Sequence, residues 1–210
     1  MSEENQDNPV GQTASEYMNP GGFDISMPDI PIPEPEEEQV AEKEIKDEVE
    51  TAFKFAFIGA GQGGSRIAET FYDFGYRKVA VLNTAQQDLN TIKKVPHKLC
   101  IGEGGAGKDP SFAKKVFASK KEDVVDFMRY SFGETLDRIF VCAGAGGGTG
   151  SGTVTSLVDA ARELQETLKA PTDKVGVILA LPKASEGKKV NANAHKCLND
   201  VYDLVEEGKV

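Results

Sequence analysis

No apolar run in these 210 residues is long enough to cross a membrane, and the amino terminus, MSEENQDNP, has neither a basic start nor an apolar segment to direct export. The expected location is the cytoplasm. Cysteine is scarce: Cys100, Cys142 and Cys197 lie far apart with no CxxC pair, so each reads as a reduced thiol acting as a small apolar residue. There are only two histidines, and His195 stands two residues from Cys197 on a predicted helix, so the two point to different faces and no metal site is expected from them. Nor is there an excess of basic charge. With 24 Lys and Arg against 34 Asp and Glu the net charge is -10, and no nucleic-acid partner is expected.

The acidity that is present is lopsided. Residues 1–52 hold 15 Asp and Glu against 2 Lys, a net of -13, while the remainder holds 19 acidic and 22 basic residues, a net of +3. The same segment carries six of the ten prolines, as in MPDIPIPEPEEEQ, and few large apolar residues. Such a composition cannot bury enough surface to offset its ordering entropy, so residues 1–52 read as a disordered acidic tail. Residues 35–50 could support a short charged helix, with Glu42 and Lys46 at i,i+4 spacing. The tail reads as a solvating spacer, or alternatively as a docking peptide built on Met27, Ile30 and Ile32 or a ligand for a basic protein partner.

Residues 53–210 form the expected domain. Apolar runs at 53–59, 78–83, 98–102, 137–143 and 174–181 read as strands. Between them Val154, Leu157, Val158, Ala161 and Leu164 repeat with helical spacing, as do Val190, Ala194, Cys197, Leu198, Val201, Leu204 and Val205. Asp109 followed by Pro110 predicts a cap and first position for a helix running to about Tyr130. Alternation of this kind predicts an α/β fold, a Rossmann-like parallel sheet with helices on both faces and ligands at the carboxyl ends of its strands.

Three glycine-rich stretches fall at those ends. The first, IGAGQGGSRIA, places Gly59, Gly61 and Gly64 in GxGxxG spacing, but the acidic residue a dinucleotide site needs about 20 positions later is missing, because the chain there reads LNTAQ. The second, IGEGGAGKDP, nearly spells a phosphate loop through Gly102, Gly107 and Lys108, with Asp109 where Ser or Thr should stand; Gly104 to Gly107 can still present amides to a phosphate. The third is AGAGGGTGSG, residues 143–152. Strand, bare glycines, then helix means free N–H groups and the positive end of a helix dipole converging on one point with no side chain in the way, and phosphate is the natural guest.

The segment GGGTGSG, Gly146 to Gly152, resembles the signature loop of the tubulin and FtsZ superfamily. AGQGGSRI, NTAQQDL, the stretch from Gly102 to Pro110 and LPKASEGKK follow in the order of that family's other loops, and the combination is most similar to the archaeal CetZ and phage-encoded branches, over about residues 54–205. The resemblance implies GTP or GDP with magnesium. Gly61, Gln62, Gly63, Gly64 and Ser65 would line the phosphates, with Gln62 near the γ-phosphate and its metal. Asn83, Gly105, Ala106 and Gly107 would close over the γ-phosphate side. Gly146, Gly147, Gly148, Thr149 and Gly150 would cradle the α and β groups, and Glu186 would accept from the ribose, unless it is a solvated loop acid.

Two departures stand out. Ala85 occupies the position after Asn-Thr where FtsZ usually has Asp, which leaves Glu103 or water to substitute, and no GxDxxD-like activating segment occurs. The family pattern also implies a central helix and guanine-reading groups, which are not found here, so the chain reads as truncated before them. The expected function is a GTP-binding cytoskeletal protein that assembles head to tail with itself, its GTP hydrolysis completed by a neighbouring subunit and no catalytic residue in this chain. The alternatives are a non-catalytic scaffold of the same fold, or an oxidoreductase using the first loop for NAD.

Overall fold

A computed structural model describes residues 52–210; the expectations for residues 1–51 lie outside the described residues. The chain forms five strands, β1 (Phe55–Ala60), β2 (Val79–Asn83), β3 (His97–Cys100), β4 (Arg138–Gly144) and β5 (Gly176–Ala180), all but β3 rich in apolar β-branched or aromatic residues. They form one sheet in the order β3-β2-β1-β4-β5, and every pairing is parallel, with Gly59 opposite both Val81 and Cys142. All five strands therefore end on one edge. The chain winds outward in opposite directions from β1 and β4, so the crevice between these two carboxyl ends is where a ligand fits in a fold of this kind.

The two-residue period of the strands sorts side chains between two layers. Ala56, Ile58, Ala60, Ile139, Val141 and Ala143 face a core shared with α3 (Pro110–Ser119), α4 (Lys121–Phe132), α5 (Thr149–Thr167) and α6 (Lys188–Glu206). Phe57, Val79, Val81 and Cys142 face the other way, against Ala68 of α1 (Gly61–Asp73) and Leu89 of α2 (Gln86–Thr91). On this second face Phe57 lies between Phe71 and Phe140, with ring centroids at 3.9 and 5.2 Å.

One expectation needs correction: the helix predicted from Asp109 to about Tyr130 is two helices, broken at Lys120. The buried stripe Ala113, Phe117, Val124, Met128 would, in one continuous helix, turn positions 120 and 121 inward as well, and both are lysine. The break frees them. Lys120 pairs with Asp123 at 2.9 Å and Lys121 with Glu163 at 2.7 Å, with both lysines about half exposed. Asp109 caps α3 as expected, accepting from the amides of Ser111 and Phe112. No helix among the described residues is long and apolar enough to cross a membrane.

Candidate functional site

The carboxyl edge of the sheet opens on a cavity of about 560 Å³ at the β1/β4 crevice. Its floor consists of two helix starts. Helix α1 begins at Gly61 directly after β1, and α5 begins at Thr149 after the turn that leaves β4; neither start has a side-chain cap or an acidic residue in its first turn. Both therefore present unpaired N–H groups and the positive ends of their dipoles. Helix α3 differs, because Asp109 already occupies its start.

The glycines separate into two kinds when a Cβ is imagined on each. At Gly59 it would meet Ser65 Cα at 2.7 Å, and at Gly64 it would overlap the Cys142 carbonyl oxygen. Those two glycines let α1 lie directly on β1 and β4. Gly61 has φ +67° and a Cβ there would stand 2.9 Å from the Gly150 nitrogen, so the two helix starts touch through bare backbone. Gly148 is packed under Ala106 and Asp109, Gly150 against Gly144 and Ala60, and Gly152 against Pro110. Gly147 is different: its Cβ would meet only the Gly144 oxygen, at 3.9 Å. Much of the glycine density in this loop is thus required by the chain's own close packing, and Gly147 is the cradle glycine left bare toward the cavity.

Of the residues singled out from the sequence, the structure brings Gly61, Gln62, Gly63, Gly105, Ala106, Gly107, Gly146, Gly147, Gly148, Thr149, Gly150 and Glu186 to the cavity wall. Gly64, Ser65 and Asn83 are not part of the lining. Ser65 is buried and its Oγ has no hydrogen-bond partner. Asn83, 2% exposed, lies beneath the rim: its Oδ1 accepts from the Thr149 hydroxyl at 3.2 Å and its Nδ2 donates to Asp88 at 3.1 Å. The Thr149 hydroxyl is also 2.8 Å from that of Thr84, so it ties the start of α5 to the β2 end. The Glu186 carboxylate accepts from the Lys183 amide at 2.9 Å and holds the short turn Ala184–Glu186 against the cavity.

Sequence reasoning missed Asp88, which supplies a carboxylate to the wall three residues beyond Ala85, whereas Glu103 is exposed and outside the lining. The available signal was its place in the first turn of α2. On the β5 side Ala180, Leu181, Pro182 and Val190 make the wall apolar. The second glycine stretch forms a flap over the floor, held by Lys189 Nζ donating to the Gly107 carbonyl at 3.3 Å and by Asn193 Nδ2 donating to the carbonyls of Lys108 and Gly146 at 3.1 and 3.3 Å. Apolar wall, amide floor and mixed rim together suit a nucleoside carrying an anionic tail.

Comparison with known proteins agrees with this geometry. The tubulin-like protein TubZ of a Clostridium botulinum C phage is 28% identical over 158 residues, covering 74% of this chain and 42% of the relative. The chain thus spans less than half the length of that protein. Among solved structures, the GDP-bound monomer of CetZ1 from Haloferax volcanii superposes with a TM-score of 0.62 at 25% identity, over 70% of this chain and 47% of that one. The GTPγS-bound protofilament of CetZ2 from the same organism gives 0.60 at 28% identity, over 70% and 45%. The sequence profile of the Tubulin/FtsZ family, GTPase domain, matches residues 54–207, and the chain belongs to that family.

Proposed function

We propose that this chain is the nucleotide cradle of a GTP-binding, tubulin-like cytoskeletal protein, with residues 53–210 as its nucleotide domain. The observation that carries the reading is the pair of uncapped helix starts, α1 and α5, opening on one glycine-walled cavity whose other wall is apolar. Amides of Gly61 to Gly63 and of Gly146 to Gly150 would hold the phosphates, and Glu186 would accept from the ribose. Asn83 would act from beneath, by fixing the start of α5 through Thr149 and the α2 carboxylate Asp88. The GDP and GTPγS carried by the CetZ structures support guanine nucleotide as the guest.

A magnesium ion fits the donor set, since Asp88 and Gln62 offer a carboxylate and an amide oxygen beside the amide floor, and this cation favours one or two carboxylates with phosphate oxygens. When bound, it would neutralise charge developing on the phosphates during hydrolysis. This chain's residues would hold the phosphates in a dry, fixed pose, and the water would be positioned by the next subunit of a head-to-tail polymer in the cytoplasm. The protofilament formed by CetZ2 supports self-assembly.

The sharpest test is Gly147→Ala. A methyl group there meets no protein atom closer than 3.9 Å, so the fold should be kept while the methyl occupies phosphate space. Titration calorimetry should show GDP and GTPγS binding to the chain, and at least a hundredfold loss in the variant with an unchanged circular dichroism spectrum. Absence of binding to the unaltered chain, or equal affinity in the variant, overturns the proposal.

A further inference from the structure

The flap between β3 and α3 carries one feature that the reading above does not use. Gly107 and Lys108 are consecutive left-handed residues, with φ of +57° and +59°. For glycine that conformation costs nothing special, but for lysine the Cβ crowds the following carbonyl. The conformation is held from outside, by Asn193 donating to the Lys108 carbonyl at 3.1 Å and by the Asp109 amide donating to Ala106 at 2.8 Å. It sets the Lys108 Cα over the start of α5, 3.2 Å from where a Gly148 Cβ would stand. Lys108 lines the cavity and is the one basic residue among its lining, which also holds the acids Asp88 and Glu186. Its ammonium has no hydrogen-bond or ion-pair partner among the described residues.

From this placement we infer that Lys108 is the cation of the phosphate chain, contributing affinity for nucleoside di- and triphosphates and none for the nucleoside. The inference rests on the cavity being a nucleotide site and assigns to it a residue outside the amide cradle. The two dipole ends supply fractional positive charge, whereas a polyphosphate brings several negative charges beside two carboxylates. A full positive charge on the flap redresses that balance. The near-match to a phosphate loop, GEGGAGK, then has a physical meaning different from the usual one, since the lysine descends from a flap instead of rising from the loop that starts the phosphate-binding helix.

The test separates charge from backbone. Lys108→Gly relieves the left-handed strain, Lys108→Asn keeps a residue tolerant of that conformation, and both remove the ammonium. Lys108→Arg keeps a cation. Calorimetry with GDP, GTPγS and guanosine at low and high salt should show both nucleotides weakened about tenfold or more in the Gly and Asn variants, with a shallower salt dependence. Guanosine should bind all forms alike, and the Arg variant should stay within a few-fold of the parent. Nucleotide affinity unchanged in the Gly and Asn variants overturns the role of Lys108 alone, whereas an unaltered chain that binds no nucleotide overturns the site itself and this inference with it.

Discussion

Gly147 and Gly64 share a residue type and a place at the sheet's edge, yet they are glycine for opposite reasons. Gly147 is bare toward the cavity, while Gly64 is pressed on the Cys142 carbonyl by the packing of α1 on β4. Gly64→Ala should therefore cost about 3 kcal/mol or more by overpacking, read as a lower urea midpoint, where Gly147→Ala costs under about 1 kcal/mol. A second residue-scale case is Gln165, fully buried on α5, whose Oε1 accepts from the Ile139 amide at 2.6 Å and whose Nε2 donates to the Thr172 and Lys174 carbonyls at 3.0 and 3.3 Å. Gln165→Leu would leave a buried strand amide and loop carbonyls unpaired and should lower stability by about 2–4 kcal/mol in the same assay. Neither fact was legible in the sequence, where Gln165 occupies an ordinary polar position in a helical repeat and glycines look alike. The thiols give a pH dependence. Burial pushes Cys142 from 9.0 up to about 12, and burial with the nearby Asp200 charge pushes Cys197 up to about 11. Above pH 9 the unfolded chain releases these protons while the native state retains them, so stability should fall as pH rises from 9 toward 11. Cys142→Ala should make that decline shallower in urea melts at pH 8, 9 and 10; an identical decline refutes the assignment.

At the scale of elements, the strands and their alternation with helices were readable because each lies in a short apolar run between helical patterns, largely buried in β1 and β2 and half-buried in the edge strands β3 and β5. The Asp109-Pro110 start of α3 was readable for a different reason, being fixed by local chemistry alone. Asp109→Ala should cost about 1 kcal/mol through the lost cap. The break at Lys120 was not readable from periodicity, since the stripe from Ala113 to Met128 keeps helical phase across it. What decides it is solvation of two adjacent lysines and the reach of Lys121 to Glu163 on α5, a contact 42 residues away in sequence. Likewise Asp88 entered the cavity wall only once α2 was packed beside β2 and α1. The glycine stretches were legible as a site because composition there is extreme; which glycine serves the chain and which serves a ligand is a three-dimensional property.

For the molecule as a whole, the topology makes one demand of any ligand at the crevice. The two helix starts that floor the cavity lie on opposite faces of the sheet, α1 packing with the core around Phe57 and α5 with the core around Leu157. Their starts meet where Gly61 touches Thr149 and Gly150, and Gly63 of α1 closely approaches Gly144 at the end of β4. A nucleotide held by both would couple the two layers, whereas one held by the first loop alone, as a dinucleotide turn would have it, would affect the α1 side only. Hydrogen exchange distinguishes these cases. At saturating GDP, amides 61–64, 105–108 and 146–151 should all slow together, and the whole domain should gain about 2.7 kcal/mol of stability at a hundredfold excess over Kd, seen as a higher melting temperature. Protection confined to 61–64 would place the ligand on one layer and refute the shared cradle. Protection of all three stretches that disappears in Gly147→Ala ties the coupling to the glycine of the α5 loop that is left open at the cavity.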